Sequence, residues 1–171
     1  MEKRNLKDRL ACTIFWLLLL SWMAFIFYMS AQPADESVET SGRIVRFIIS
    51  IVEPDFDKLS PEEQKVIDYN VQFWVRKTAH FVEYVVLGFL MYLVAQAYSL
   101  KRWLVFLVSW LLAALYAVSD ELHQMFVGGR AAQIRDVCID SLGALTGVIL
   151  CTVFVIIVLK IMNKKANNAL V

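Results

Sequence analysis

Long apolar stretches alternate with polar segments along the chain, and their lengths predict its main helices. The first apolar run extends from Leu10 to Met29, which is long enough to cross a hydrocarbon core of about 30 Å. The pattern predicts an all-α integral membrane four-helix bundle. Its membrane helices are expected over about 10–30, 78–98, 103–119 and 137–159, followed by a tail over 160–171.

The polar segment between the first two membrane helices, residues 31–76, is expected to contain an amphipathic helix. Four apolar residues recur there at helical spacing, namely Ile44, Phe47, Ile48 and Ile51. This spacing predicts an amphipathic helix over 37–52 that lies on the membrane surface. The run Ser60-Pro61-Glu62-Glu63 then has the form of a helix start, with Ser60 as the N-cap and proline in the first turn. We expect one continuous helix from residue 61 to about Tyr98, whose polar first part stands outside the membrane.

Composition supports a membrane location and excludes other classes. Of the 171 residues, 59% are hydrophobic, against about 45–50% in soluble domains, and this length predicts a single domain. The net charge of +1, without a basic face, argues against a nucleic-acid partner. Cys12, Cys138 and Cys151 lack the spacing of a metal motif, so we expect neither a disulfide nor a zinc knuckle.

Basic residues predict the orientation of these helices. The N-terminus, the Lys101-Arg102 turn and the C-terminal tail carry nine Lys/Arg and two acids in short flanks. The opposite side carries eight Lys/Arg and fourteen acids, spread over longer loops. By the positive-inside rule, both termini are expected in the cytoplasm and the loop over 120–135 on the outer face. The first apolar run exceeds the roughly 7–15 residues of a signal-peptide core, so we expect it to be retained.

This orientation brings unusual polar residues from four segments to one level at the outer ends of the helices. The predicted ligand-binding residues are Gln32, Arg76, Lys77, His80, Glu83, Tyr84, Ser119, Asp120, Glu121, His123, Gln124, Arg130, Arg135, Asp136 and Asp140. Several share helical faces: Arg76, His80 and Glu83; Asp120, His123 and Gln124; Asp136 and Asp140. Below the last pair, Gly143 and Gly147 form a GxxxG patch that lets another helix approach closely. We therefore expect an outer-face pocket.

The same residues carry a resemblance to a known family. The segments YMSAQ (28–32), RKTAHFVEY (76–84), SDELHQMFVGGR (119–130) and RDVCIDSLGALTG (135–147) resemble the VanZ family of small bacterial membrane proteins. The family usually has Phe-Ser before the first Gln, whereas this chain has Tyr28-Met29-Ser30-Ala31 there, a mild departure. The resemblance implies a bacterial plasma-membrane protein of the cell envelope, linked to teicoplanin-type antibiotic resistance. It implies no particular mechanism.

Two structural interpretations of the polar cluster remain open. In the first, its charges pair with one another and hold the helices together, with Asp136 pairing with Arg130 or Arg135. In the second, a His and a carboxylate three residues apart bind a metal ion, as His80 and Glu83 could. We expect no metal and no cofactor, because the neighbouring arginines neutralise the acids.

Two functional interpretations also remain open. A membrane-embedded hydrolase or transferase would use His80 or His123 as general base, oriented by Asp120 or Glu83. Arg130 and Arg135 would then hold a phosphate. The favoured interpretation is a binding module for a lipid-anchored amphiphile of the outer leaflet, such as a wall precursor or a lipoglycopeptide.

A transporter is disfavoured, because polar groups at one end of four helices offer no path across the membrane. A homo-oligomer that assembles the site from two copies would escape that objection, and the sequence leaves this state open. The expected partners are the lipid bilayer and the amphiphile.

Overall fold

The computed structural model describes residues 6–98, 100–130 and 132–168, and every regular element in these ranges is helical. The elements are α1 (Leu6–Ser30), α2 (Ala34–Val52), a short 3-10 helix (Phe56–Lys58), α3 (Pro61–Gln96), α4 (Arg102–Gln124) and α5 (Ile134–Asn168). The four longest, α1, α3, α4 and α5, are apolar and long enough to cross a membrane. This confirms the predicted all-α bundle and makes the chain a multi-pass membrane protein. The first five residues and the last three of the predicted tail lie outside the described residues.

The helices extend further than the apolar pattern alone predicts. α4 continues to Gln124 and α5 begins at Ile134, so the connection between them is shorter than the expected loop over 120–135. The helix can continue because its polar residues find partners inside the bundle instead of facing lipid. α5 likewise continues through Lys160 and Lys164 to Asn168, beyond the predicted end at 159.

The start of α3 carries a complete capping box. Ser60 Oγ accepts a hydrogen bond from the Glu63 N–H at 3.4 Å, and the Glu63 carboxylate accepts one from the Ser60 N–H at 2.9 Å. Pro61 occupies the first helical position, where no intrahelical N–H bond is required. With 36 residues, α3 is about 54 Å long at 1.5 Å per residue, much longer than a hydrocarbon core of about 30 Å. Its first turns therefore extend beyond the apolar bundle.

α2 packs beside this extended part of α3. Val45 and Ile49 are buried between the helices, and Gln72 of α3 donates a side-chain hydrogen bond to Ser41 of α2. Phe47 remains 65% exposed. The amphipathic face of α2 is thus divided between contact with α3 and an outward apolar surface.

The closest helix packing joins α3 to α5 through glycine and alanine. A Cβ atom added to Gly143 would lie 2.5 Å from the Phe81 carbonyl oxygen, and one added to Gly147 would lie 2.9 Å from the Phe89 nitrogen. Gly88 of α3 faces the Ala144 backbone in the same way. Small residues therefore bring the two backbones together, as is common between membrane helices. We call this contact the glycine seam.

Large side chains complete the bundle on the other side of α3. Tyr84 is fully buried, and Trp22 of α1 donates its indole N–H to the Glu83 carbonyl oxygen at 2.9 Å. Tyr116 of α4 donates its hydroxyl to the Met23 carbonyl oxygen at 2.7 Å. These bonds tie α1 to α3 and α4. The resulting framework places the C-terminal ends of α1 and α4, the middle of α3 and the N-terminal end of α5 around a common centre.

Candidate functional site

A buried hydrogen-bond network joins the outer ends of α1 and α4. Ser30 Oγ donates to Asp120 Oδ2 at 2.8 Å, and Gln124 Nε2 donates to the same oxygen at 3.1 Å. All three residues are buried, and Asp120 is only 3% exposed. Ser30 was not among the predicted site residues, although it lies in the segment that precedes Gln32. The network orients Asp120 while leaving its other oxygen, Oδ1, without a hydrogen-bond partner.

A glycine turn brings Arg130 back over this network. Gly129 has a φ of 75°, a conformation that other residues rarely adopt, and it follows the end of α4 closely. The returning Arg130 donates from Nη1 to Gln124 Oε1 at 3.2 Å, while its Nε has no hydrogen-bond partner. Burial, followed by the proximity of Arg76, lowers the pKa of the Arg130 guanidinium. The turn therefore holds two arginines close to one another.

Neither of these arginines pairs with an acid. Within the described part of the chain, no carboxylate oxygen lies within 4.0 Å of the Arg76 or Arg130 guanidinium. Instead Asp136 forms an ion pair with Lys77 of α3, and Arg135 Nε lies 4.0 Å from its second oxygen. Pairing of Asp136 with Arg135 is thus marginal, and Arg130 does not contact it. Asp120, Glu121 and Glu83 raise the pKa of the Arg130 guanidinium from farther away, so its charge is balanced only by acids beyond ion-pair distance.

Three chelating side chains meet below the arginines, one each from α3, α4 and α5. Ligand atoms of His80, Asp120 and Asp140 all lie within 4.8 Å of one another. Asp140 is 3% exposed, and its carboxylate makes no hydrogen bond or ion pair with any described residue. His80 Nδ1 lies 3.7 Å from Glu83 Oε2, and neither atom has a hydrogen-bond partner. A buried polar atom without a hydrogen-bond partner costs free energy, so a bound proton, ion or ligand would stabilise this cluster.

Other predicted site residues lie at the margin. His123 stacks against Phe27 with ring centroids 4.4 Å apart, on the side of α4 that faces α1. The Ser119 hydroxyl donates to a carbonyl of its own helix and is exposed. Gln32 Oε1 and the Tyr84 hydroxyl are buried but have no partner in the described residues.

The last two predicted residues also differ in their surroundings. Glu121 accepts a hydrogen bond from the Gln133 N–H at 2.6 Å, which ties the loop to α4. The Arg135 side chain is largely exposed and lies over the Phe73 ring, 5.1 Å from its centroid. Of the two histidines, His80 lies beside the buried aspartates Asp120 and Asp140, whereas His123 stacks on Phe27.

Three cavities that are lined in part by α3 border the cluster, and two of them share lining residues. The first, which we call the lateral groove, has a volume of about 660 Å³ and is lined by Ile44, Ile48, Asn70, Val71, Trp74, Val75, Thr78, Ala79, Val82 and Glu83. The second, the polar pocket, has about 160 Å³ and is lined by Met29, Ser37, Thr40, Ser41, Ile44, Val75, Arg76, Ala79, His80, Glu83 and Arg130. The third, the inner cavity, has about 10 Å³ and is lined by Lys77, His80, Glu121, Gln124, Asp136, Ile139 and Asp140. The lateral groove and the polar pocket share four residues, Ile44, Val75, Ala79 and Glu83, so apolar space adjoins a pocket with charged groups in its lining.

Sequence reasoning missed the contribution of α2 to these cavities. Ile44 and Ile48 were recognised as one face of an amphipathic helix and were placed on the membrane surface. Nothing in the local pattern showed that α2 would pack against the extended start of α3 and enclose space between them. The available signal was the length of α3, since a helix that projects from the membrane needs a neighbour for its apolar residues, such as Trp74.

Comparison with protein families decides the relationship. The family model described as VanZ/LLP1 matches residues 15–156, which include every predicted site residue. The chain belongs to this family. Comparisons with curated proteins and with solved structures gave no match. The predicted VanZ-like assignment is thereby confirmed. In this VanZ-family bundle the glycine seam holds α5 against α3, and the Gly129 turn brings Arg130 to the polar cluster.

Proposed function

We propose that this VanZ-family protein binds an amphiphile with a phosphate-bearing headgroup at the outer face of the bacterial plasma membrane. One observation carries the proposal: the apolar lateral groove shares four lining residues with a pocket that is also lined by two arginines, neither of which has a described carboxylate oxygen within 4.0 Å. An amphiphile has the same two parts in the same order. The basic flanks at the opposite helix ends support the outward orientation of this site.

The headgroup side of the proposal depends on Arg76 and Arg130. Guanidinium groups bind phosphate through paired, charge-assisted hydrogen bonds, and each such bond contributes roughly 1.5–3 kcal/mol. Arg130 Nε is buried without a partner, and Arg76 makes no ion pair with a described acid. A phosphate placed between them would relieve their mutual repulsion. Glu83 on the same wall would disfavour a second anionic group, which favours a single phosphate over a polyanion.

The tail side depends on the surface between α2 and α3. Ligand sites in proteins enclose about 300–1,000 Å³, and the lateral groove of about 660 Å³ falls within this range. Ile44 and Ile48 form its α2 wall, and Trp74 and Val82 form part of its α3 wall. Because the groove begins beside Val82, in the membrane-spanning part of α3, a lipid chain of the outer leaflet could extend from the membrane into it. A lipid-linked wall precursor has this chemistry, and holding such a precursor would connect the protein to glycopeptide resistance.

Binding of undecaprenyl phosphate to the purified protein tests this proposal, with undecaprenol as the uncharged control ligand. We expect undecaprenol to bind at least about tenfold more weakly, because the free energy of about 1.4 kcal/mol behind that factor is less than one phosphate contact supplies. The Arg76→Gln/Arg130→Gln variant should lose this preference. Arg43→Gln/Arg46→Gln, which removes the same two charges from exposed positions on α2, should keep it. Equal binding of both lipids to the wild-type protein would refute the proposal.

Occupation of the groove can be measured separately through Trp74. A ligand with a brominated chain should quench its fluorescence, and the difference between the wild-type protein and Trp74→Phe isolates this signal from the other four tryptophans. Quenching that is unchanged by Trp74→Phe would place the chain elsewhere.

A second candidate function, hydrolysis of the bound phosphate ester, is favoured by His80 and Glu83. Both line the polar pocket beside the arginines, and His80 Nδ1 is 3.7 Å from the Glu83 carboxylate, which could orient the imidazole. His80 would take a proton from water as the water oxygen attacks phosphorus and the P–O bond to the lipid breaks. His80 would return that proton to the departing lipid oxygen, which leaves the lipid alcohol and inorganic phosphate. Mass spectrometry of the lipid after incubation distinguishes the two functions, because a binder returns it with its mass unchanged.

A further inference from the structure

We propose that His80, Asp120 and Asp140 form a binding site for a divalent transition-metal ion, with Zn²⁺ as the favoured ion. The site lies at the centre of the bundle, where α3, α4 and α5 each contribute one ligand. This inference does not depend on the amphiphile proposal, because no arginine belongs to the ligand set and metal content is measured without lipid.

The distances between the three side chains suit a chelate. Their ligand atoms lie within 4.8 Å of one another, and atoms about 2.1 Å from a tetrahedral zinc ion are roughly 3.4 Å apart. Small side-chain rotations would close this difference. Helix bundles commonly build metal sites in this way, from carboxylates and histidines on facing helices.

Unsatisfied ligand atoms provide an independent indication of a ligand. Asp140 is 3% exposed and its carboxylate has no hydrogen bond or ion pair in the described chain. Asp120 is equally buried, and its Oδ1 has no hydrogen-bond partner although Oδ2 has two. His80 Nδ1 is also without one. A metal ion between the three side chains would give Asp120 Oδ1 a partner and would also bind the Asp140 carboxylate.

Charge balance also favours a dication. Two ionised aspartates and a neutral imidazole carry two negative charges, which a divalent ion neutralises. The sequence led us to expect no metal because nearby arginines would neutralise the acids. Arg76 and Arg130 make no ion pair with Asp120 or Asp140 in the described structure, and Lys77 is occupied by Asp136. Arg130 acts on Asp120 only from beyond ion-pair distance, so an ion bound directly to the carboxylates would neutralise them more strongly.

The ligand types and the surrounding space narrow the choice of ion. Imidazole suits zinc, and carboxylate oxygens suit both zinc and manganese, whereas a soft-metal site would require cysteine. Three protein ligands with an open fourth position are typical of catalytic zinc. The inner cavity of about 10 Å³ is lined by His80 and Asp140 and is about the size of one water molecule, the usual fourth ligand.

Metal binding to the purified, full-length protein tests the proposal. The protein is purified with a tag that contains no histidine, stripped with a chelator, and titrated separately with Zn²⁺ and Mn²⁺. We expect about one ion per chain, with tighter binding of Zn²⁺ and an increase in melting temperature as the ion stabilises the folded state. X-ray absorption at the zinc edge should show nitrogen and oxygen ligands without sulfur.

Variants distinguish this site from adventitious binding. His80→Ala and the isosteric Asp140→Asn should weaken binding at least about tenfold, a loss that even outer-shell partners of metal ligands can cause. His123→Ala is the matched control, because His123 stacks on Phe27 and should leave binding unchanged. Failure of the wild-type protein to bind either ion would overturn the proposal. So would wild-type affinity in Asp140→Asn, or a loss in His123→Ala equal to that in His80→Ala.

Discussion

The glycine seam makes a sharp prediction about stability, which the substitution Gly147→Ala tests. A Cβ atom at this position would overlap the Val85 carbonyl oxygen and would lie 2.8 Å from the Val85 carbonyl carbon and 2.9 Å from the Phe89 nitrogen. All three are backbone atoms of α3, so no side-chain rotation can make room. The helices must move apart instead.

The size of the effect follows from this displacement. Ordinary contact begins at 3.4 Å, so the contact at 2.8 Å must open by at least 0.6 Å, the difference between the two. A gap of 0.5–1 Å removes about a quarter to a half of the dispersion energy of each atom contact. If the seam contains roughly 40 atom pairs at about 0.15 kcal/mol each, the loss of a quarter of their energy is about 1.5 kcal/mol. This agrees with the range of about 1–3 kcal/mol for overpacked cores.

Gly42→Ala provides the matched control. Gly42 also lies within a helix, α2, but the only described atom near an added Cβ is the flexible end of Arg46, 3.9 Å away. Both substitutions gain a similar helix propensity, about 1 kcal/mol, so the difference between the two variants isolates the clash. Unfolding in mixed detergent micelles should therefore show Gly147→Ala about 1.5–3 kcal/mol less stable than Gly42→Ala. Equal free energies of unfolding for the two variants would refute the backbone contact.

Three further predictions follow from other contacts. Lys77→Met should reduce the free energy of unfolding by about 3 kcal/mol, because it leaves the partly buried Asp136 carboxylate without its ion pair. Adding Asp136→Asn should recover most of that loss, and a double variant without any recovery would contradict the pairing. Ser60→Ala should cost about 1 kcal/mol of capping and raise amide exchange about fivefold in the first turn of α3, while unchanged exchange would argue against the capping box. In a variant without native cysteines, Gly128→Cys should react with an impermeant maleimide on intact cells, and Lys164→Cys only after lysis; the opposite pattern would reverse the proposed orientation.

Much of the fold could be predicted because lipid imposes strict conditions on sequence. A run such as Leu10 to Met29 has no alternative to a helix when it crosses a membrane, since every backbone group must be satisfied within it. The start of α3 at Ser60 was equally predictable, because a capping box is a local signal. Both features depend on residues close together in the chain.

The partners within the polar cluster could not be predicted in the same way. Asp120, His123 and Gln124 were expected to share a face, and all three contact α1, but consecutive helix residues point about 100° apart and meet different partners there. That rotation turns Gln124 toward Ser30 and His123 toward Phe27, and only the packing of α4 against α1 determines where each side lies. The counter-ion of Asp136 was missed for a similar reason, since Lys77 is 59 residues away and on another helix.

The glycine seam and the polar cluster are parts of one register between α3 and α5. Gly147 meets Val85 and Phe89, Gly143 meets Phe81 and Tyr84, and one or two turns further outward α5 presents its two aspartates. The ion pair of Asp136 with Lys77 shows that the same register continues to the outer end of both helices. This register places Asp140 beside His80. Opening the seam with Gly147→Ala should therefore weaken metal binding as well as stability, although Gly147 contacts no ligand; metal affinity unchanged from that of Gly42→Ala would show that the cluster is positioned independently of the seam.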